Sequence, residues 1–462
     1  MIRFDAVSKT YPGGTVAVED FSLRIPERTT TVFLGTSGCG KTTLMRMVNA
    51  MVAPTSGRVL VRGQDVAEQD PVALRRSIGY VLQEGGLFPH RTIADNIATV
   101  PLLEGAPRRQ ARARALELMD LVGLDRDMAG RYPAQLSGGQ RQRVGVARAL
   151  ANEADILLMD EPFGALDPLV RADLQAELIR IREQLGTTIL FVTHDIDEVV
   201  CGVGEQLQAG PHRPPARGPG GRRGGDPRGH PARTRPGGAP MTWLMSNWGL
   251  VGELALTHLA IAVPAIVCSV LVAVPVGWCT ARSKRVGPPV LAVLSAMYAV
   301  PSLPLLIIVP VVVGVSYRSP VNMVLILTLY GVAVLVRQSA EGFSAIERAT
   351  LRSATACGFG TVRRFWQVEL PLATPVIVAG TRVVVTSTVS LVTIGAFVGV
   401  RSLGTLFTDG FQRGLVAEVV VGLAATIALA LGIDALVAGI GRAATPWTRA
   451  GAAADDEQGA RA

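Results

Sequence analysis

Hydrophobic and polar positions change rhythm twice along the 462 residues. Up to about residue 200, short apolar runs alternate with amphipathic stretches. Val32–Leu34, Ile78–Leu82, Ile156–Met159 and Ile189–Val192 have strand length and are apolar throughout, which predicts strands buried on both faces. Ala111–Val122 and Leu169–Leu185 repeat at helical spacing, and Thr43–Met51 reads as a further helix. From 201 to 240 the periodicity disappears. Eleven Gly, eight Pro and seven Arg in those forty residues cannot bury a core, so a disordered linker is expected there. Past 241 the pattern becomes apolar. Leu254–Cys279, Pro288–Val315, Pro320–Val336, Leu372–Val400 and Val416–Ile440 each approach or exceed the ~20 residues needed to cross hydrocarbon. The expected organisation is a soluble α/β domain over 1–200, a linker over 201–240, a membrane domain of about five spans over 241–450 and a disordered tail over 451–462. Pro264, Pro275, Pro301, Pro304 and Pro310 lie inside the apolar stretches, where neighbouring helices re-satisfy the backbone.

Composition sharpens this division. With 49% hydrophobic and 18% charged residues, the chain is neither disordered throughout nor a cytosolic enzyme of uniform make-up. The net charge of +8 invites a nucleic-acid partner, but the linker alone sets seven Arg against Glu205 and Asp226. Basicity therefore belongs mainly to the linker, and no nucleic-acid partner is expected. None of the five Cys forms a CxxC pair, which favours a reducing compartment. Met1–Asp5 does not open an apolar signal segment, so the first domain is expected in the cytosol.

The chemistry concentrates in the first domain. Gly35-Thr36-Ser37-Gly38-Cys39-Gly40-Lys41-Thr42 fits the phosphate-binding spacing GxxxxGK[ST], between an apolar strand and a helix. Its glycines let backbone N–H groups close on phosphate oxygens, and Thr43 continues the helix start. Lys41 would neutralise β/γ-phosphates, and the Thr42 hydroxyl would ligate Mg²⁺. Ile156–Met159 runs into Asp160 and Glu161: the first would hold Mg²⁺ through water, the second would polarise the attacking water.

Leu136-Ser137-Gly138-Gly139-Gln140, standing between those two motifs, resembles the signature of ABC transporter ATP-binding subunits. The resemblance implies an α/β P-loop NTPase fold. It also implies that Ser137, Gly138, Gly139 and Gln140 form a second anion cradle for ATP held by an opposing subunit. Tyr11 would stack on adenine, Gln83 would sense the metal or the lytic water, Asp167 would cross the dimer interface, and His194 would contact the γ-phosphate. Gly86–Thr92 and His194–Glu198 further resemble the osmoprotectant importers for glycine betaine, carnitine and choline. The similarity fades after Glu198.

Residues 241–450 resemble the all-α permease of the same importer class. Arg352-Ser353-Ala354, Gly358 and Leu370-Pro371 follow its coupling loop, which docks on the ATPase near Gln83. Where the family has an acid, this chain has the base Arg352. Basic residues place Arg282–Arg285, the coupling segment and Arg442 with Arg449 on the cytoplasmic side. Five crossings ending inside would begin outside, whereas an ATPase ahead of them must be inside. With Met241 resembling a permease start, this conflict points to two adjacent genes read as one near codon 200; a genuine fusion with a flexible tether is the alternative. Arg382, inside the fourth apolar stretch, is either a pathway charge or a snorkelling one.

The expected activity is ATP hydrolysis driving import of a small osmoprotectant across the cytoplasmic membrane by a multi-pass protein. The cofactors are ATP and Mg²⁺. The partners are a second ATPase/permease pair (a homodimer supplies it), an external solute-binding protein and the bilayer. An importer of methionine or another amino acid is the alternative. Rivals of other kinds are an exporter half, a non-transport ABC ATPase acting on nucleic acid, and a defective fused product.

Overall fold

A computed structural model describes residues 1–36, 38–162, 171, 176, 180, 186–193, 239–300, 302–316 and 318–451, the side chains of 83, 84, 239, 240, 242 and 303 apart. The predicted helix over 169–185, the linker and the tail fall outside the described residues almost entirely. The chain divides into two compact units. One gathers the described residues of Met1–Arg217, Glu347–Glu369 and Pro446–Ala462; the other gathers those of Gly218–Ile346 and Leu370–Thr445.

The first unit is built on two sheets. β1 (Ile2–Thr10), β2 (Val16–Ile25), β4 (Ser56–Val61) and β5 (Gln64–Asp65) form an antiparallel sheet in the order β2-β1-β4-β5. β3 (Thr30–Leu34), β6 (Gly79–Val81), β7 (Ile156–Asp160) and β8 (Thr188–Thr193) form a parallel sheet in the order β3-β8-β7-β6. Every residue of β7 and β8 is buried, as expected of parallel strands covered on both faces. Around them lie α1 (Lys41–Val48), α2 (Pro71–Arg76), α3 (Ile93–Ile97), α4 (Thr99–Leu103), α5 (Arg108–Leu121) and α6 (Gly138–Leu150). One core fills the space between the parallel sheet, α3, α5 and α6; a second joins the antiparallel sheet to α1. Helix α1 starts two residues before the predicted Thr43. Gly40, at φ 93°, is its N-cap, and a Cβ there would stand 2.2 Å from Ala17 O, so only glycine fits the turn.

The second unit is helical: α7 (Ala239–Arg282), α8 (Gly287–Tyr298), α9 (Ser302–Val313), α10 (Pro320–Ser344), then, beyond α11 (Arg348–Ala356) and α12 (Thr361–Arg364) of the first unit, α13 (Leu370–Val392), α14 (Gly404–Arg413) and α15 (Val416–Ala444). Among the described residues, four helices are long and apolar enough to cross a membrane: Trp243–Arg282, Pro320–Ser344, Thr361–Val398 and Val416–Ala444. The stretch 288–315, expected as one crossing, is divided into α8 and α9, each of 12 residues. At 1.5 Å per residue each covers roughly 18 Å, short of the ~30 Å of hydrocarbon. Pro264 and Pro275, by contrast, remain inside α7. Helix α10 packs on α7, α8 and α13. The approach is close: a Cβ on Gly331 would meet Ser269 Oγ at 2.2 Å, and one on Gly277 would meet Ser339 Cβ at 2.5 Å.

Candidate functional site

The C-terminal ends of β3 and β7, with β8 between them, carry the phosphate loop and the acidic pair. Lys41, 8% exposed, folds back across its own loop. Its Nζ donates to Gly35 O at 2.6 Å, to Thr36 O at 2.8 Å and to Cys39 Sγ at 3.4 Å. An ammonium held by weak carbonyl acceptors is positioned to exchange them for an anion, which forms the stronger charge-assisted bond. Thr42 Oγ1 donates to Asp160 Oδ1 at 2.9 Å, so two of the three residues expected at the metal, 118 residues apart in sequence, meet; the side chain of the third, Gln83, lies outside the described residues. Gly38, at φ 88°, turns the loop, and Ser37 lies outside the described residues. Tyr11 is 38% exposed, and its hydroxyl is 3.5 Å from Thr43 Oγ1 at the start of α1. Lys9 Nζ lies over the ring, 5.4 Å from its centroid, so the aromatic side chain beside the loop carries a cation on one face.

Two further side chains hold Asp160, and sequence reasoning missed both. Arg46 Nη2 donates to Asp160 Oδ2 at 3.2 Å, and the Tyr80 hydroxyl donates to the same oxygen at 3.5 Å. Burial, followed by the Asp160 charge, pushes the Tyr80 hydroxyl well above the ordinary phenol range, so it stays protonated as a donor. Their spacing in the sequence carries no signal, because one side chain comes from α1 and the other from β6. Glu161 adopts φ 48°, an uncommon left-handed conformation for a non-glycine residue, while its N–H donates to Val192 O at 2.9 Å.

Ser137 caps α6. Its Oγ accepts from Gln140 N at 3.3 Å, and Gln140 Oε1 accepts from Ser137 N at 2.9 Å. This reciprocal capping box fixes the first turn, and the Ser137 hydroxyl proton is still available for an anion. Gly138 and Gly139 supply the following N–H groups. Asp167 and His194 lie outside the described residues.

Of the predicted coupling segment, Arg352, Ser353, Ala354 and Gly358 belong to the same compact unit as this site, and Leu370 and Pro371 to the second unit. Ser353 and Ala354 are fully buried, and Ser353 Oγ donates to Gly86 O, three residues after Gln83. Arg352 is exposed, so the residue that replaces the family's acid is not the buried contact. Gly358 sits at φ 75°; a Cβ there would meet Arg76 Cγ at 2.6 Å. Its carbonyl accepts from Arg76 Nε at 3.2 Å and Nη2 at 3.1 Å. Phe359 meets Phe88 edge-on at 5.7 Å. Arg363 Nη1 donates to Leu103 O at 2.8 Å, and Arg91 Nη2 to Gln367 Oε1 at 3.2 Å. His90 Nε2 lies 2.7 Å from Gln367 O, an acceptor only, so the ring carries its proton there. Burial, reinforced by Arg91, lowers the His90 pKa to about 4, and the ring is neutral at physiological pH. Beneath this contact the buried guanidinium of Arg148 on α6, also unforeseen, donates to Gly86 O at 2.9 Å and Gly85 O at 2.8 Å. Leu370 and Pro371 begin α13.

Comparison with known proteins agrees with both halves. Residues 18–164 match the family model described as ABC transporter, and residues 245–449 match that of the binding-protein-dependent transport system inner membrane component. The carnitine transport ATP-binding protein OpuCA of Listeria monocytogenes is 51% identical over 200 residues, 43% of this chain and 50% of that protein. The choline transport ATP-binding protein OpuBA of Bacillus subtilis is 49% identical over 218 residues, 46% of this chain and 57% of that protein. The glycine betaine uptake system ATP-binding protein YehX of Escherichia coli is 50% identical over 200 residues, 43% of this chain and 65% of that protein. The chain thus spans about half the length of the OpuCA relative. This polypeptide joins an ABC transporter ATP-binding domain of α/β P-loop fold to a multi-pass, all-helical inner-membrane transport domain.

Proposed function

We propose that the chain is an ATP-driven importer of a small quaternary-amine osmoprotectant: glycine betaine, carnitine, choline or a close analogue. One observation carries the reading. The buried Ser353 hydroxyl, in the loop between two membrane-domain helices, donates to the turn that follows Gln83 beside the nucleotide site. A transporter needs such a contact, and a non-transport ATPase does not. The names of the three relatives given above, ATP-binding proteins for carnitine transport, choline transport and glycine betaine uptake, support the substrate class.

In this reading the phosphate loop and Lys41 hold the β/γ-phosphates, and Tyr11 stacks on the base. Thr42 and Asp160 offer hydroxyl and carboxylate oxygens 2.9 Å apart, hard donors of the kind Mg²⁺ takes. Bound there, Mg²⁺ would offset charge on the transferred phosphoryl group. Glu161 accepts a proton from the attacking water, with Gln83 sensing that water or the metal and His194 contacting the γ-phosphate. Ser137, Gly138, Gly139 and Gln140 of one copy, with Asp167 at the interface, close on the nucleotide of a second. Two copies therefore supply two ATPase and two permease domains. An external solute-binding protein delivers the substrate.

The test is uptake of radiolabelled glycine betaine, carnitine and choline into a transport-deficient host expressing the full chain with a matched binding protein. ATP-dependent uptake of at least one is expected. Membrane-inserted protein that hydrolyses ATP yet moves none of the three would overturn the substrate class.

A further inference from the structure

The second unit carries a charged pair inside two membrane-crossing helices. Arg382 Nε donates to Asp434 Oδ1 at 2.8 Å, and Nη2 donates to Oδ2 at 2.7 Å, a two-point contact between α13 and α15. Arg382 lies 12 residues past Leu370, and Asp434 lies 10 residues before Ala444. At 1.5 Å per residue these are roughly 18 and 15 Å from the helix ends, near the middle of a ~30 Å hydrocarbon layer. At that depth Arg382 is paired rather than drawn to a membrane surface.

The pair is not sealed inside the bundle. The Arg382 side chain is 48% exposed and that of Asp434 22%. Moreover, Arg382, Thr386 and Ser390 recur at intervals of four and are all exposed, alongside Ala379 and Val383. Thr386 Oγ1 is turned toward its own helix, donating to Arg382 O at 3.1 Å. The faces suited to lipid lie elsewhere: α15 exposes Leu423, Ile427, Leu431 and Leu436, and α7 exposes Val267 and Leu271. A guanidinium has five N–H groups, and two go to Asp434. An open polar row with a mid-depth charge and donors to spare does not suit hydrocarbon, where such groups are costly.

We infer that Arg382, Thr386 and Ser390 line the water-filled path of the transported solute, and that Arg382, held in place by Asp434, receives the carboxylate of a zwitterionic quaternary amine. The inference rests on the importer reading and adds to it where the solute passes and which end of it is recognised. Glycine betaine has the carboxylate; choline has a hydroxyl in its place.

Two measurements on the full chain in proteoliposomes test it. Thr386→Cys, Ser390→Cys and, as a lipid-facing control, Leu431→Cys are treated with a membrane-impermeant thiol reagent, and each site is read by peptide mass. Labelling at 386 and 390 at least tenfold faster than at 431 is expected; equal protection of all three overturns the path. This readout needs no substrate, so it separates failure of the path from failure of the importer assignment. For the carboxylate, Arg382→Gln is expected to lower glycine betaine uptake at least tenfold while choline uptake changes less than threefold. Equal loss of both solutes overturns the recognition role. The charge-exchanged R382D/D434R keeps an ion pair for folding and is expected to insert but remain deficient in betaine uptake. Full recovery of uptake would make the pair structural only.

Discussion

Gly86 O is a shared acceptor, and that makes the docking contact measurable. Ser353 Oγ and Arg148 Nη1 both donate to it, while Arg148 Nη2 holds Gly85 O. Ser353→Ala removes one donor and leaves the carbonyl paired, so the expected cost is the net value of one hydrogen bond, about 1 kcal/mol. Arg148→Met removes two charge-assisted bonds and orphans Gly85 O, for an expected cost of about 4 kcal/mol. In that background the Ser353 hydroxyl carries Gly86 O alone. Removing it then exposes the desolvation penalty of an unpaired carbonyl, about 2–3 kcal/mol. The cycle should therefore show a coupling of about 1–2 kcal/mol. Amide hydrogen exchange over residues 351–359, in the full chain in nanodiscs, reads this directly. Exchange is expected about fivefold faster in Ser353→Ala, and about 30-fold or more faster when the change is made on Arg148→Met. Arg148→Lys, which keeps a charge in the same cavity, replaces Arg148→Met if the latter does not insert. Equal effects of Ser353→Ala in both backgrounds, within about 0.5 kcal/mol, would refute the shared-acceptor argument.

Two further outcomes follow from the site. Glu161→Gln should leave ATP binding intact and lower turnover by about 10²–10⁴-fold, measured by phosphate release; near-normal hydrolysis would place the base elsewhere. His90 gives a pH dependence of definite sign. Its folded pKa of about 4 lies below the ordinary 6.5, so the unfolded or undocked ring binds the extra proton. The docked contact is fully present above about pH 6.5 and weakens as pH falls toward 4. Exchange over 359–367 should rise through that window in the unmodified protein and lose most of its pH dependence in His90→Gln.

What the sequence disclosed, and what it hid, divides along a physical line. The phosphate loop and the strand ending in Asp160 are local patterns, each written in a few consecutive residues, and Thr42 and Asp160 meet as that pattern implies. Burial of β7 and β8 was equally visible, because the uninterrupted apolar runs Ile156–Met159 and Ile189–Val192 suit strands covered on both faces. The partners of Asp160 were not visible: Arg46 is one of many arginines, and only the sheet order β3-β8-β7-β6 brings α1 beside β7. Arg148 was hidden for a stronger reason. A fully buried guanidinium reads in sequence as a solvated helix charge, and its carbonyl partners lie 62 and 63 residues away. The division of 288–315 into α8 and α9 escaped because hydropathy counts apolar residues without weighing where the backbone stops being helical. Arg352 shows the limit of reading by motif position. The change from acid to base drew attention to it, yet the neighbouring Ser353 is the residue that is buried and bonded.

Helix α6 connects the two functional contacts mechanically. Ser137 caps one end, and Arg148 lies in its last turn, about 16 Å away at 1.5 Å per residue. Between them, Gly145 lies against the turn after Gln83: a Cβ on Gly145 would stand 2.9 Å from Gly85 Cα and 3.1 Å from Gly85 O. The turn is thus gripped by the same helix that presents the signature residues, with Ser353 on its other side. Interdigitated contacts at this density transmit displacement because they do not compress. Gly145→Ala should force helix and turn apart by a few tenths of an ångström without touching β3, α1 or the phosphate loop. Nucleotide affinity should then stay within about threefold of the unmodified protein, while stimulation of hydrolysis by transported solute is largely lost. A variant that keeps both affinity and stimulation would show that the helix and the turn move independently, and the grip at Gly145 would have no part in coupling.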